Sequence, residues 1–139
     1  MLAILGGVVF EIAPVNLTAM DRSTEARYAE KPILGRRPAL EFIGDGAETF
    51  GLTVKILPYE FGGLDGLTNL AAMRQSGIAQ YFMRGDGVPM GWFVVEKVGE
   101  KSSYLGAQGV GRVIDVDIAI KRADAPTGSD FFASIMGML

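Results

Sequence analysis

The chain of 139 residues contains neither cysteine nor histidine. Thiolate or imidazole metal centres, Ser-His and Cys-His nucleophilic pairs, and imidazole proton switches are therefore outside its reach. Carboxylates, lysine, tyrosine and hydroxyls are what remain for chemistry. A lack of cysteine also fits a reducing compartment. Basic charge is short as well: 13 lysines and arginines face 16 acids, a formal net charge of −3, with a pI near 4.9. A general nucleic-acid binder would carry a basic stripe and a pI above about 9. Long hydrophobic runs are missing too. The apolar opening, residues 1–10, is interrupted by Gly6 and Gly7 and has no basic residue ahead of it. A bilayer span needs about 20 apolar residues, and a signal segment needs a basic start. A buried strand is expected here, not membrane insertion.

What is present points to a strand-rich domain. Apolar residues make up 49% and charged residues only 21%, with 19 glycines suited to turns and kinked strands. One domain of this length can bury about 70% of its unfolded surface. The clearest pattern lies in residues 111–122, where Ile114, Val116, Ile118 and Ile120 alternate with Asp115, Asp117 and Lys121, the signature of a half-buried strand. Its expected partner is residues 91–98. There Trp92, Val94 and Val98 fall on one face by simple alternation, and Phe93 and Val95 on the other. Apolar side chains on both faces call for cover on both faces, so Trp92 and Phe93 are candidate subunit contacts. Residues Lys101, Ser102, Ser103, Gly106 and Gly109 read as the connection between the two strands.

Elsewhere residues 14–37 show no apolar periodicity and read as a long extended loop, with a short strand around residues 28–30. Loops of that length inside a compact domain tend to be functional. Gly44-Asp45-Gly46 reads as a turn after a short strand at 39–43, followed by a strand at 49–60 that Pro58 ends. Residues 64–76 form the one clear internal helix, with Asp65 at its start and Gly77 as the residue that closes it. A strand at 78–83 and the turn Gly85-Asp86-Gly87 follow. Residues 124–128 resemble a linker, and residues 129–139, with Phe131 and Phe132, read as a short apolar helix able to dock on a partner.

Three constellations invite a chemical reading. Arg36 and Arg37 could bind phosphate; in an acidic chain they are better read as partners for carboxylates such as Glu48 or Glu60 of a neighbouring subunit. Asp115 and Asp117 share a strand face and could hold a cation or act as acid and base, although solvent exposure gives the same pattern. The run Gly106-Ala107-Gln108-Gly109-Val110-Gly111 feeds a strand rather than opening a helix, unlike a dinucleotide fingerprint. No enzyme motif and no cofactor site emerge.

The order and spacing of several segments resemble the GpU family of tail proteins from contractile-tailed bacteriophages and phage-tail-like particles. These are Leu5-Gly6 with Val8-Val9-Phe10, Gly35-Arg36-Arg37, and Phe42-Ile43-Gly44-Asp45-Gly46 with Glu48-Thr49. They continue with Gly62-Gly63, Leu70, Met73-Arg74, Gly77 and Gly85-Asp86-Gly87. The last are Gly91-Trp92-Phe93-Val94-Val95-Glu96-Lys97-Val98, then Ile114-Asp115 through Ile118 and Ile120 to Lys121-Arg122. Pro58-Tyr59-Glu60 departs from the family's usual Tyr-Pro-Glu.

The resemblance implies an α+β, mainly β fold: an antiparallel β-sandwich or barrel similar to the tail-tube fold, with the internal helix on the sheet and a short C-terminal helix. The length, the linker and the apolar tail together give one domain over residues 1–123 and a docking tail over 124–139 as the expectation. In function the resemblance implies a non-enzymatic subunit of a sixfold ring at the baseplate-proximal end of the tail tube. The expected partners are further copies of itself and tube, hub, sheath or LysM-type baseplate proteins. Assembly in the host bacterial cytoplasm and residence in the virion tail follow from the same resemblance. Genome DNA would pass through without specific binding, with Asp115 and Asp117 facing the lumen. The alternatives are a small-molecule or peptide binding module at Trp92, Phe93, Arg36 and Arg37, a tail-terminating ring, or an enzyme using Asp115 and Asp117.

Overall fold

The structure, a computed structural model, describes residues 2–13 and 15–125. The expected C-terminal helix and docking tail, with Phe131 and Phe132, lie outside the described residues. Within them the fold is α+β and mainly β. The strands are β1 (Ala3–Leu5), β2 (Val8–Phe10), β3 (Val15–Lys31), β4 (Ala39–Ile56), β5 (Gln80–Arg84), β6 (Pro89–Leu105) and β7 (Gly111–Arg122). The helices are α1 (Pro58–Phe61) and α2 (Leu64–Ser76). All strand pairs are antiparallel, in one sheet of order β2-β1-β5-β6-β7-β4-β3. The two outermost strands are consecutive in the chain, and the Glu11 amide donates to the Val15 carbonyl at 2.9 Å. The sheet therefore curls back on itself as an incompletely closed barrel.

The alternation of β4 and β7 dictates the core. Phe50, Leu52, Val54 and Ile56 of β4 meet Ile114, Val116, Ile118 and Ile120 of β7 in register, and all eight are buried. Leu5, Phe10, Phe82 and Phe93 complete the interior, where Phe50, Phe82 and Phe93 contact one another edge to face with centroids 5.1–5.7 Å apart. Helix α2 covers this interior with Leu70 and Met73. Gly77, at φ 67°, closes the helix by returning its amide to the Met73 carbonyl, as the sequence predicts. The residue before the helix is Gly63, with no side-chain cap, and Asp65 sits in the first turn. Gly6 turns β1 into β2 at φ 54°, close enough to α2 and β5 that a Cβ would overlap the Gln80 side chain.

Four expectations change. Most of the expected loop at 14–37 is strand: from Val15 to Lys31 the chain forms β3, 17 residues paired along their length with β4, and residues 32–38 connect the two. Gly44-Asp45-Gly46 is not a turn; it lies inside β4, beside register shifts at Thr24/Ala26 and Arg27/Tyr28. Those irregularities break the period of two that would have announced the strand. β6 extends through Lys101, Ser102 and Ser103 to Leu105, leaving residues 106–110 as the turn. A further shift between Val95 and Lys97 inserts Glu96 as an extra residue. It moves Val98 onto the core face with Phe93 and Val95, and Trp92 and Val94 stay on the other face.

Candidate functional site

The β3–β4 hairpin divides into two parts. Its lower half, up to Thr49, pairs with β7 and roofs the core. Above Thr49 β4 has no partner but β3, so the two strands run on as a free ribbon of about 30 Å. None of its residues from Asp21 to Glu48 is buried, and the ribbon carries Tyr28, Leu40, Phe42 and Ile43 at 53–64% exposure. Tyr28 and Phe42 are cross-strand partners whose rings meet edge to face at 5.6 Å. At the tip, Leu34 is fully exposed and Ile33 largely so. Lys31 is paired with Glu41 at 2.7 Å. Arg36 and Arg37 are exposed, and among the described residues neither has an ion-pair partner.

The base of this arm is tied to the body by one carboxylate. Arg22 of β3 donates Nε and a terminal guanidinium nitrogen to Glu48 Oε1 at 3.0 and 2.6 Å. Arg122, at the end of β7, donates Nε to Oε2 at 2.6 Å. A terminal nitrogen of Arg122 also reaches the Met90 carbonyl at 2.6 Å, so β4, β7 and the start of β6 are joined in one clasp. Each guanidinium covers a core aromatic ring: Arg22 lies 5.6 Å from the Phe50 centroid and Arg122 lies 5.5 Å from that of Phe93. The Glu48 side chain is only 13% exposed. Its burial pushes the carboxyl pKa up, but the hydrogen bonds and charges of the two arginines prevail and hold it below its ordinary value. A hollow of about 290 Å³ beside the clasp is lined by Thr24, Asp45, Glu48 and Arg122.

The sequence-predicted site residues do not converge. Glu48, expected as a partner for a neighbour's Arg36 and Arg37, is engaged by Arg22 and Arg122 of its own chain. Phe93, expected as a subunit contact, is wholly buried in the core of its own chain, which corrects that expectation. Trp92 is half-buried on the opposite face, its ring 5.4 Å from that of Tyr81. Glu60 is exposed on α1, at the far end of the molecule from the arm's tip.

Asp115 and Asp117 do share a face, but the register sets Lys55 and Lys101 on either side of Asp115, with Lys97 and Lys121 further along. That face is of mixed charge rather than acidic. Among the described residues no group of three or more acids is arranged to hold a metal ion, and no helix is long and apolar enough to cross a membrane. Sequence reasoning missed Arg22, Arg122 and the exposed apolar residues of the arm. The one available signal was the apolar Tyr28, Ile33, Leu34, Leu40, Phe42 and Ile43 within a stretch otherwise polar.

The family model described as Phage P2 GpU matches residues 6–125 of the 139. No curated protein sequence matches the chain. The matched span contains every element of the sheet from the β1–β2 turn to the end of β7, and the whole arm.

Proposed function

Because the chain belongs to the Phage P2 GpU family, whose members are structural proteins of phage tails, we propose that it is a ring-forming subunit of a contractile tail. In this reading a ring, hexameric by the resemblance, sits at the baseplate-proximal end of the tail tube and joins tube, hub and baseplate proteins. The observation that carries the reading is the arm. An isolated two-stranded hairpin is at best marginally stable in water, and this one exposes Tyr28, Leu40, Phe42 and Ile43. Both of its edges above Thr49 are unpaired, an invitation to join another chain. A neighbouring subunit supplies the cover. In this reading the face of β7 that carries Asp115 and Asp117, with Lys55, Lys97, Lys101 and Lys121 among them, lines the lumen.

The test is the native mass of the purified protein at two salt concentrations, alone and mixed with the other tail proteins encoded beside it. A closed oligomer in either sample supports the reading. A monomer in both, with no complex formed, overturns it.

A further inference from the structure

We propose that the tip of the arm of one copy seats in the hollow at the opposite end of a second copy, Arg36 and Arg37 meeting the carboxylates that rim it. This rests on the assembly reading above and names the two surfaces that carry it. The hollow lies where β3 begins and β4 ends. One part, of about 210 Å³, is lined by Ile12, Asn16, Lys55, Leu57 and Phe61. A second part, of about 300 Å³, is bounded by Val9, Glu11, Val15 and Asp65, Glu11 and Val15 being the chain neighbours of Ile12 and Asn16. The apolar side chains that line it are open to solvent, Ile12 being 78% exposed, Phe61 54% and Val9 40%, and Leu64, next to Gly63 in the chain, is 43% exposed. Glu11 and Asp65, both exposed, line the second part, Lys55 lines the first, and Glu60 is exposed next to Phe61 in the chain.

The tip is its complement. Ile33 and Leu34 present apolar side chains; of the cations at the tip, Lys31 is held by Glu41, and Arg36 and Arg37 have no ion-pair partner among the described residues. Apolar knob and apolar hollow agree in character, and the charges around them are opposite. The tip cannot fill the hollow of its own chain. The two are separated by the full length of β3, 17 residues of paired strand, or roughly 50 Å. Complementary surfaces at opposite ends of one subunit produce a heterologous contact, which closes into a ring when the rotation between neighbours allows.

The absence of cysteine makes the contact directly testable by disulfide trapping in the assembled sample. Leu34→Cys and Phe61→Cys variants are oxidised separately and mixed. The expected result is a covalent dimer in the mixture, at least tenfold above either variant alone. A Leu34→Cys mixture with Tyr104→Cys, exposed elsewhere, sets the background. The second arm is a charge exchange. Changing Arg36 and Arg37 to glutamate weakens self-association by about tenfold or more, and adding Glu11→Arg and Glu60→Arg restores it to within about threefold. Assembly of the wild type without the trapped dimer, or without rescue, overturns the contact and leaves the ring reading standing. Trapping of Leu34→Cys with itself also overturns it, because that is a tip-to-tip contact. A wild type that assembles under no condition defeats both.

Discussion

Replacing Glu48 by glutamine keeps the outline of the clasp but removes the charge that two guanidinium groups share. With hydrogen bonds from charged donors lost on a side chain only 13% exposed, the expected cost is about 1–2 kcal/mol at neutral pH, read from denaturant unfolding. The pH dependence has a definite sign. The folded-state pKa of Glu48 lies below its ordinary 4.5, so the clasp contributes fully above about pH 4.5 and is lost as pH falls through the lowered value. The wild-type unfolding midpoint should fall over that acidic range, and the Glu48→Gln profile should fall less. Asp86, held at about 2 by its bond from Arg84 and by the Val88 amide, keeps some slope in both. An unchanged profile would mean the clasp stabilises nothing. Two neighbours on β6 separate core from surface. Phe93→Ala, at a wholly buried ring, should cost about 3–5 kcal/mol. Trp92→Ala should cost less than half as much, and equal losses would contradict the placement of Trp92 and Phe93 on opposite faces of β6.

At the scale of the element, the arm is a separable piece. Nothing in residues 26–45 is buried or belongs to the core cluster, and the clasp at Arg22, Glu48 and Arg122 lies below it. Replacing residues 26–45 by Asn-Gly, which suits a two-residue hairpin, should leave the thermal midpoint of the monomer within a few degrees of the wild type while abolishing self-association. A variant that unfolds instead would show that the ribbon braces the body. The arm also marks where the sequence stopped being legible. β7 and helix α2 announce themselves through strict alternation and through Leu70, Met73 and Gly77. β4 declares its lower half in full, but its upper half only as a short strand at 39–43 cut off by a turn, because Phe50, Leu52, Val54 and Ile56 face a core whereas Leu40, Phe42 and Ile43 face solvent. Periodicity reports burial within one subunit, and a strand whose cover belongs to another molecule has no reason to display it. The extra residue at Glu96 hid Val98 in the same way, by exchanging the faces halfway along a strand.

The whole molecule is polar in a geometric sense: an arm leaves one end and an acid-rimmed apolar hollow lies at the other. In a ring built by such contacts each subunit gives one arm and receives one. An armless subunit can receive but cannot give, so every armless copy breaks the circle it enters. Mixing wild-type and arm-deleted chains before assembly therefore tests the architecture as well as the contact. If all subunits of a sixfold ring must contribute, an equal mixture leaves about 2% of rings intact, whereas a two-subunit contact would leave about 25%. Measured by native mass across a series of mixing ratios, ring yield should fall as a steep power of the wild-type fraction, and the exponent counts the subunits. A yield that declines only in proportion to that fraction would show that arms are dispensable in individual subunits. The ring would then be held by the sheet edges of β2 and β3, where the chain has its other unpaired backbone.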